Sequence, residues 1–455
     1  MAVREASHAG SWYSDNSRQL ASQLDLWLSR VPEKDILPGI EKLPVPGARA
    51  VIAPHAGYAY SGPCAAWAYK CLDLSQAKRI FILHPSHHRH LRTAALPVVD
   101  AYETPLSDQP LPLDRETIHE LSSLSATNEN GETVKFTTMS KSVDEAEHSA
   151  EMQLPYIHRL LQKLYPGQPE SSYPPLVPIM VGGTSVTTEQ TLGKMLAPYI
   201  ADEQNAFVIS SDFCHWGSRF GYTYYVPDAP SPALSPLMLP NGVRGEFTTA
   251  KESTNEDVHK VPTLGQGEEL RSNTRIPKGG PQIYESIAHV DRACMCAIAT
   301  GSHSEFCRVL RITGNTVCGR HPIGVFMAGV EEVERNKRDK GEHAKADTDP
   351  DTTDPTRGKF RFMRYERSSD VISPKDSSVS YISYLHGGKV PVVEVRLQAV
   401  ARPIIIPEDL LEDELSVSSV QVVDRATMAG MESIYGAKRQ NLGVPVRSSK
   451  RHSYR

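Results

Sequence analysis

Three separated segments carry residues of metal-binding type: APHAGY with His55, HPSHH with His87 and His88, and CGRHPIG with Cys318. Neutral imidazole suits zinc, copper and iron, and a thiolate shifts preference toward softer or borderline ions. Two imidazoles and one thiolate leave coordination positions open, as a site that works on a ligand requires. Cys318 is followed by Gly319, which permits a tight turn, and by a helical pattern that Pro322 can start. A helix N-terminus with Arg320 and His321 alongside favours the thiolate. Each residue also has a plainer reading: a hydrogen-bonded structural histidine, or a thiol buried as a small hydrophobe.

Two further segments could exchange protons. In SSDFCHWG, Asp212 and His215 are close enough in sequence to act as a carboxylate and imidazole pair on a ligand or substrate, although Asp212 could equally cap the following turn. In EHSAEMQLPY, His148 and Glu151 are three apart, on one face of a helix, and capping or surface pairing accounts for that spacing as well. There is no GxGxxG after a strand, no GxxxxGK[ST] and no GxSxG, which removes nucleotide cradling and an α/β-hydrolase triad from consideration.

The histidines need strands to place them. ARAVIAPHAGY and RIFILHPSHH are short apolar runs that stop near a proline and deliver histidines beyond their ends, with the helical pattern CAAWAYKCL between them. The design continues through helical SAEMQLPYIHRLLQKL, the strand PLVPIMVGG, helical TTEQTLGKMLAPYI and the strand NAFVISSDFCHWG. Strand–helix–strand repeats of this length predict one α/β domain with a central mixed sheet flanked by helices. Ligands collect outside the carboxyl ends of strands in such sheets, and three of these ends carry His55, His87 and the Asp212/His215 pair. Leu20, Leu24, Trp27, Leu28 and Val31 mark an amphipathic helix near the start. IYESIAHVDRACMCAIAT, SEFCRVLRIT and GVFMAGVEEVERNKR read as helices, with KFRFMRYERS and SSVSYISYLHGG as a strand pair.

Composition sets the limits. Of 455 residues, 39% are hydrophobic, with a mean hydropathy of −0.37, enough for one sizeable core but not for a chain folded from end to end. The domain is therefore expected over residues 1–388, interrupted by low-complexity insertions at 229–280 and 336–358. The first insertion reads as largely disordered, and the tail 389–455 as poorly ordered. A net charge of −5 gives no pull toward nucleic acid or anionic membrane. The start lacks a signal-peptide pattern, and no apolar run is long enough to span a bilayer, so a location in the cytoplasm, or shared between cytoplasm and nucleus, is expected. Seven cysteines without CxxC spacing indicate reduced thiols, and those other than Cys318 sit mostly in helical patterns and read as core.

REASHAGSWY, APHAGYAYSG, FILHPSHH, EHSAEMQLPY, SSDFCHWG, NTVCGRHPIG and DSSVSYISY resemble, in the same order, segments of the Memo family. The resemblance covers roughly residues 1–228 and 281–388. It implies a fold like that of the class III extradiol ring-cleaving dioxygenases. It also implies metal ligands at His55, His87 and Cys318, with Asp212 and His215 as neighbouring catalytic groups. His84 stands where the family pattern has glycine, and Gln153 where it has histidine. The dioxygenases hold Fe(II) on two histidines and a carboxylate. A cysteine in the third place carries no expectation of ring cleavage. What the resemblance does imply is copper or iron with a redox role, or a signalling adaptor that binds phosphotyrosine-type peptides.

Overall fold

The computed structural model describes residues 1–33, 42–230, 261–340 and 360–387. The tail 389–455 and most of both expected insertions, residues 231–260 and 341–358, lie outside the described residues. Four parallel strands form the centre of a ten-stranded mixed sheet, in the order Ala48–Ala53, Asn205–Ser210, Arg79–Pro85, Leu176–Val181. Ser378–Gly387 runs antiparallel on one side and Ala94–Pro97 antiparallel on the other. Every residue of Asn205–Ser210 and of Leu176–Val181 is buried. Strands buried on both faces require cover on both faces, which explains their unbroken apolar runs.

Two groups of helices pack on the sheet. Tyr58–Cys71 lies over Ala48–Ala53 and Ser378–Gly387, with Ser17–Arg30 and Leu154–Leu164 against it. The expected face of the first helix is the one buried: Leu20, Leu24, Trp27 and Leu28. Arg320–Asp339 lies over Asn205–Ser210 and Arg79–Pro85, with Val186–Ala201 against it. These last two helices meet at glycines. A Cβ on Gly193 would stand 2.6 Å from the Gly329 nitrogen, so the backbones approach more closely than any side chain allows.

The structure corrects the sequence reading in three places. SAEMQLPYIHRLLQKL is two helices, His148–Glu151 and Leu154–Leu164, and the break falls where Pro155 occupies the first turn of the second. Proline has no backbone N–H to donate to the preceding turn, so it starts a helix better than it continues one. Within the first insertion, residues 261–280 are ordered against the domain: Glu268–Glu269 pairs antiparallel with Tyr224–Tyr225, and Leu270 is buried. The second insertion begins later than position 336, because the helix continues to Asp339 with its basic last turn facing the dipole. Among the described residues no helix is long and apolar enough to cross a membrane.

Candidate metal centre

Register brings the strand ends together. Ala53 pairs with Ser210, and Leu83 with Ile209, so the chain leaves all three strands at one edge of the sheet. His55 follows the first end, His87 follows Arg79–Pro85, and Asp212 follows Asn205–Ser210. Cys318 stands just ahead of helix Arg320–Asp339, which packs on two of these strands. Gly319 seats that helix: a Cβ there would lie 2.3 Å from the Ser210 carbonyl oxygen, and its N–H donates to Ser211 Oγ at 3.0 Å. Ligand atoms of His55, His87 and Cys318 all lie within 4.8 Å of one another.

Hydrogen bonding fixes which nitrogen each imidazole offers. His87 Nδ1 is 2.8 Å from Glu147 Oε1, and the second Glu147 oxygen accepts the His87 backbone N–H. A carboxylate can only accept, so the ring proton sits on Nδ1 and the lone pair on Nε2. That Nε2 is buried and has no hydrogen-bond partner among the described residues. His55 Nδ1 meets Ser210 Oγ at 2.7 Å. The serine spends its own proton on the Ser149 carbonyl at 2.8 Å, so toward His55 it accepts. His55 Nε2 is therefore also a lone pair, 3.1 Å from Cys318 Sγ. Metal-bound histidines normally have the other ring nitrogen tied in this way, which orients the ring and raises its basicity.

Burial favours the neutral form of His55. Burial holds His55 well below its ordinary value, and neighbouring His87 and His148 add to the effect. Burial opposes ionisation of Glu147, but His87 outweighs it and holds the carboxyl well below the usual range. Burial pushes Asp212 up to about 7 against the N–H donors of His55 and Ala56. Its Oδ2 is buried, has no hydrogen bond among the described residues and lies 4.0 Å from His55 Nε2. Near neutral pH this carboxyl can give or take a proton beside the ligands. Asp212 N–H also points at Cys318 Sγ from 3.2 Å, which favours the thiolate.

His215 is wholly buried. Its Nδ1 faces the carbonyls of Phe213 and Thr316 at 2.9 and 3.3 Å, and burial lowers it to about 4. His148 and Glu151, expected on one face, are both buried and serve different ends. The His148 ring stacks on His87 at 4.5 Å and on Trp12 at 4.4 Å, with Nδ1 3.5 Å from Glu147 Oε1 and neither ring nitrogen hydrogen-bonded among the described residues. Glu151 turns away to hold the N-terminal segment, accepting from Arg4, His8 and Tyr13. His84 is buried against Ser149 Oγ at 3.1 Å and lowered by burial to about 4. Gln153 donates to the Pro54 carbonyl and Ser210 Oγ, and accepts from Tyr69 at 2.6 Å.

Sequence reasoning did not pick out Glu147 or Ser210, which orient the ligands, and marked Gln153, which holds Ser210, only as a departure from the family pattern. Ser210→Ala removes the acceptor that holds the His55 tautomer. It is expected to weaken metal binding about 10- to 100-fold while the ligand set stays complete, as read by competition titration against a chromophoric chelator.

Against known proteins, the model of the Memo family, described as Memo-like protein, matches residues 4–385. The chain belongs to the Memo family. Protein MEMO1 of Homo sapiens is 38% identical over 378 residues, 83% of this chain and 95% of its own length. Protein MEMO1 of Xenopus laevis gives the same identity and coverage, and a MEMO1 family protein of Schizosaccharomyces pombe is 35% identical over 381 residues, 84% and 97% of the two chains. The match spans both sides of the first insertion, so all the residues of the centre fall inside the Memo region.

Proposed function

We propose that this Memo protein holds one copper or iron ion on His55, His87 and Cys318 and uses it in redox chemistry. The observation that carries the reading is the pair of imidazoles whose Nδ1 protons are already committed, leaving both Nε2 lone pairs directed at the Cys318 region. The ion, when bound, would supply one-electron chemistry that no side chain of this centre provides. The protein's own part is to bind, orient and buffer protons. Glu147 and Ser210 fix the imidazoles, and Asp212 stands ready to exchange a proton at Oδ2. His215, held neutral by burial, lines the site as the second candidate for proton transfer. The third ligand is a cysteine, so a ring-cleaving reaction does not follow from this set.

Anaerobic purification without added metal, followed by metal identification and spectroscopy of the bound ion, tests the proposal. Copper or iron that cycles between two oxidation states with a sulfur-to-metal absorption band is the expected result. A protein that neither retains nor takes up either ion overturns it.

A second reading has a specific observation behind it. His88, Arg89, His90 and Arg92 follow His87 directly and are all exposed. They could receive the phosphate of a phosphotyrosine-type peptide at the mouth of the same cleft, making the protein a signalling adaptor. Peptide binding that survives complete metal removal would favour this reading over the first.

A further inference from the structure

A second cluster of ligand-type residues sits beside the pair of close-packed helices. Glu189 lies in the first turn of Val186–Ala201, and His303 and Cys307 lie four residues apart on one face of His303–Thr313. One atom from each falls within 4.8 Å of the other two. Glu189 Oε2 is 2.6 Å from His303 Nε2, and Cys307 Sγ is 3.4 Å from the same nitrogen and 3.9 Å from the same oxygen. The other carboxylate oxygen meets His321 Nδ1 at 2.6 Å and accepts from Thr184 Oγ1 at 3.3 Å.

A buried ion pair between Glu189 and His303 accounts for one of these contacts. It does not account for a thiol turned onto the same imidazole nitrogen, nor for a second imidazole holding the far oxygen of the carboxylate. Gly324 adds an independent observation. A Cβ there would stand 2.3 Å from Glu189 Oε2 and 3.3 Å from His303 Nε2, so the glycine keeps open the space on which the three donors converge. His303 and Glu189 are buried and Cys307 is partly exposed, which gives an ion a way in from the Cys307 side.

We propose that Glu189, His303 and Cys307 form a second divalent-cation site of the zinc type, separate from the His55/His87/Cys318 centre. Carboxylate, imidazole and thiolate together suit a borderline ion that keeps one open position. His321 and Thr184 hold the carboxylate as outer partners hold metal-bound carboxylates elsewhere. Binding releases the thiol proton of Cys307 and the proton shared by His303 and Glu189, and no electron moves.

The test counts zinc in chelator-stripped full-length protein equilibrated at a free Zn²⁺ level set by a chelator buffer. Wild type is expected to hold two equivalents, Cys318→Ala one, Cys307→Ser one, and the double variant none. Cobalt(II) loaded into Cys318→Ala is expected to show a thiolate charge-transfer band that the added Cys307→Ser change removes. Cys307→Ser holding as much zinc as wild type, or Cys318→Ala holding none, overturns the site. Failure of the first centre alone gives a different pattern: one equivalent in wild type and in Cys318→Ala, none in Cys307→Ser. Should Cys307→Ser melt early without metal, His303→Asn is read in its place, with the same outcomes.

Discussion

Cys318→Ala is expected to lower the affinity of the first centre for copper or iron by more than about 100-fold, because loss of an outer partner alone costs 10- to 100-fold and this change removes a ligand. Folding should survive. Cys318 is partly exposed and lies outside the hydrophobic core, so metal-free stability is expected to change by about 1 kcal/mol or less. Competition titration reads the first quantity and denaturant unfolding of the stripped protein the second. Unchanged metal affinity would remove Cys318 from the ligand set.

The largest stability effect is expected at Glu151. Its buried carboxylate accepts from Arg4 Nη1 at 2.7 Å, from Tyr13 at 2.8 Å, and from the backbone and ring of His8 at 2.8 and 2.9 Å. Glu151→Ala strands the Arg4 guanidinium in the interior with Asp144 as its remaining carboxylate, a loss of about 3–5 kcal/mol. Burial opposes ionisation of Glu151, but His8 and Arg4 outweigh it and bring its value down to about 2. A carboxyl lowered on folding contributes its stability above the unfolded value near 4.5 and loses it as pH falls toward 2. The gap between wild type and Glu151→Gln should therefore narrow over that window by about 3 kcal/mol. Asp144 moves the other way, pushed by burial up to about 6, so the comparison must be between the two proteins and not along one acid titration. A constant gap from pH 5 to pH 2 would show that the pair does not titrate as described.

The centre was legible in the sequence wherever geometry follows from local pattern. His55 and His87 stand two residues past the ends of buried strands, and parallel register then carries them to one edge. Cys318 was marked by the glycine after it and the helix that follows. What stayed hidden depends on contacts between distant segments: Glu147 under His87, Ser210 under His55, and His148 stacked between His87 and Trp12. Serine, glutamate and glutamine are common throughout a chain, and nothing in local spacing says which one will receive a ring proton. Cys307 is a different case. Reading it as core followed from its helical setting, yet it is partly exposed, and the HSEFC spacing that places it over His303 was visible.

One chain of hydrogen bonds sets which atom donates and which accepts all the way to His55. The Pro54 carbonyl cannot donate, so it compels the Gln153 amide to present its NH₂ inward and its oxygen to Tyr69. From Tyr69 through Gln153 to Ser210 and His55, every proton then has only one place to be. Tyr69 is wholly buried in the helix that lies between His55 and His87 in the chain, stacked on Tyr156, and resembles any other core aromatic. In a survey of variants, a change there would be filed under packing, although its effect would reach the imidazole that receives the metal.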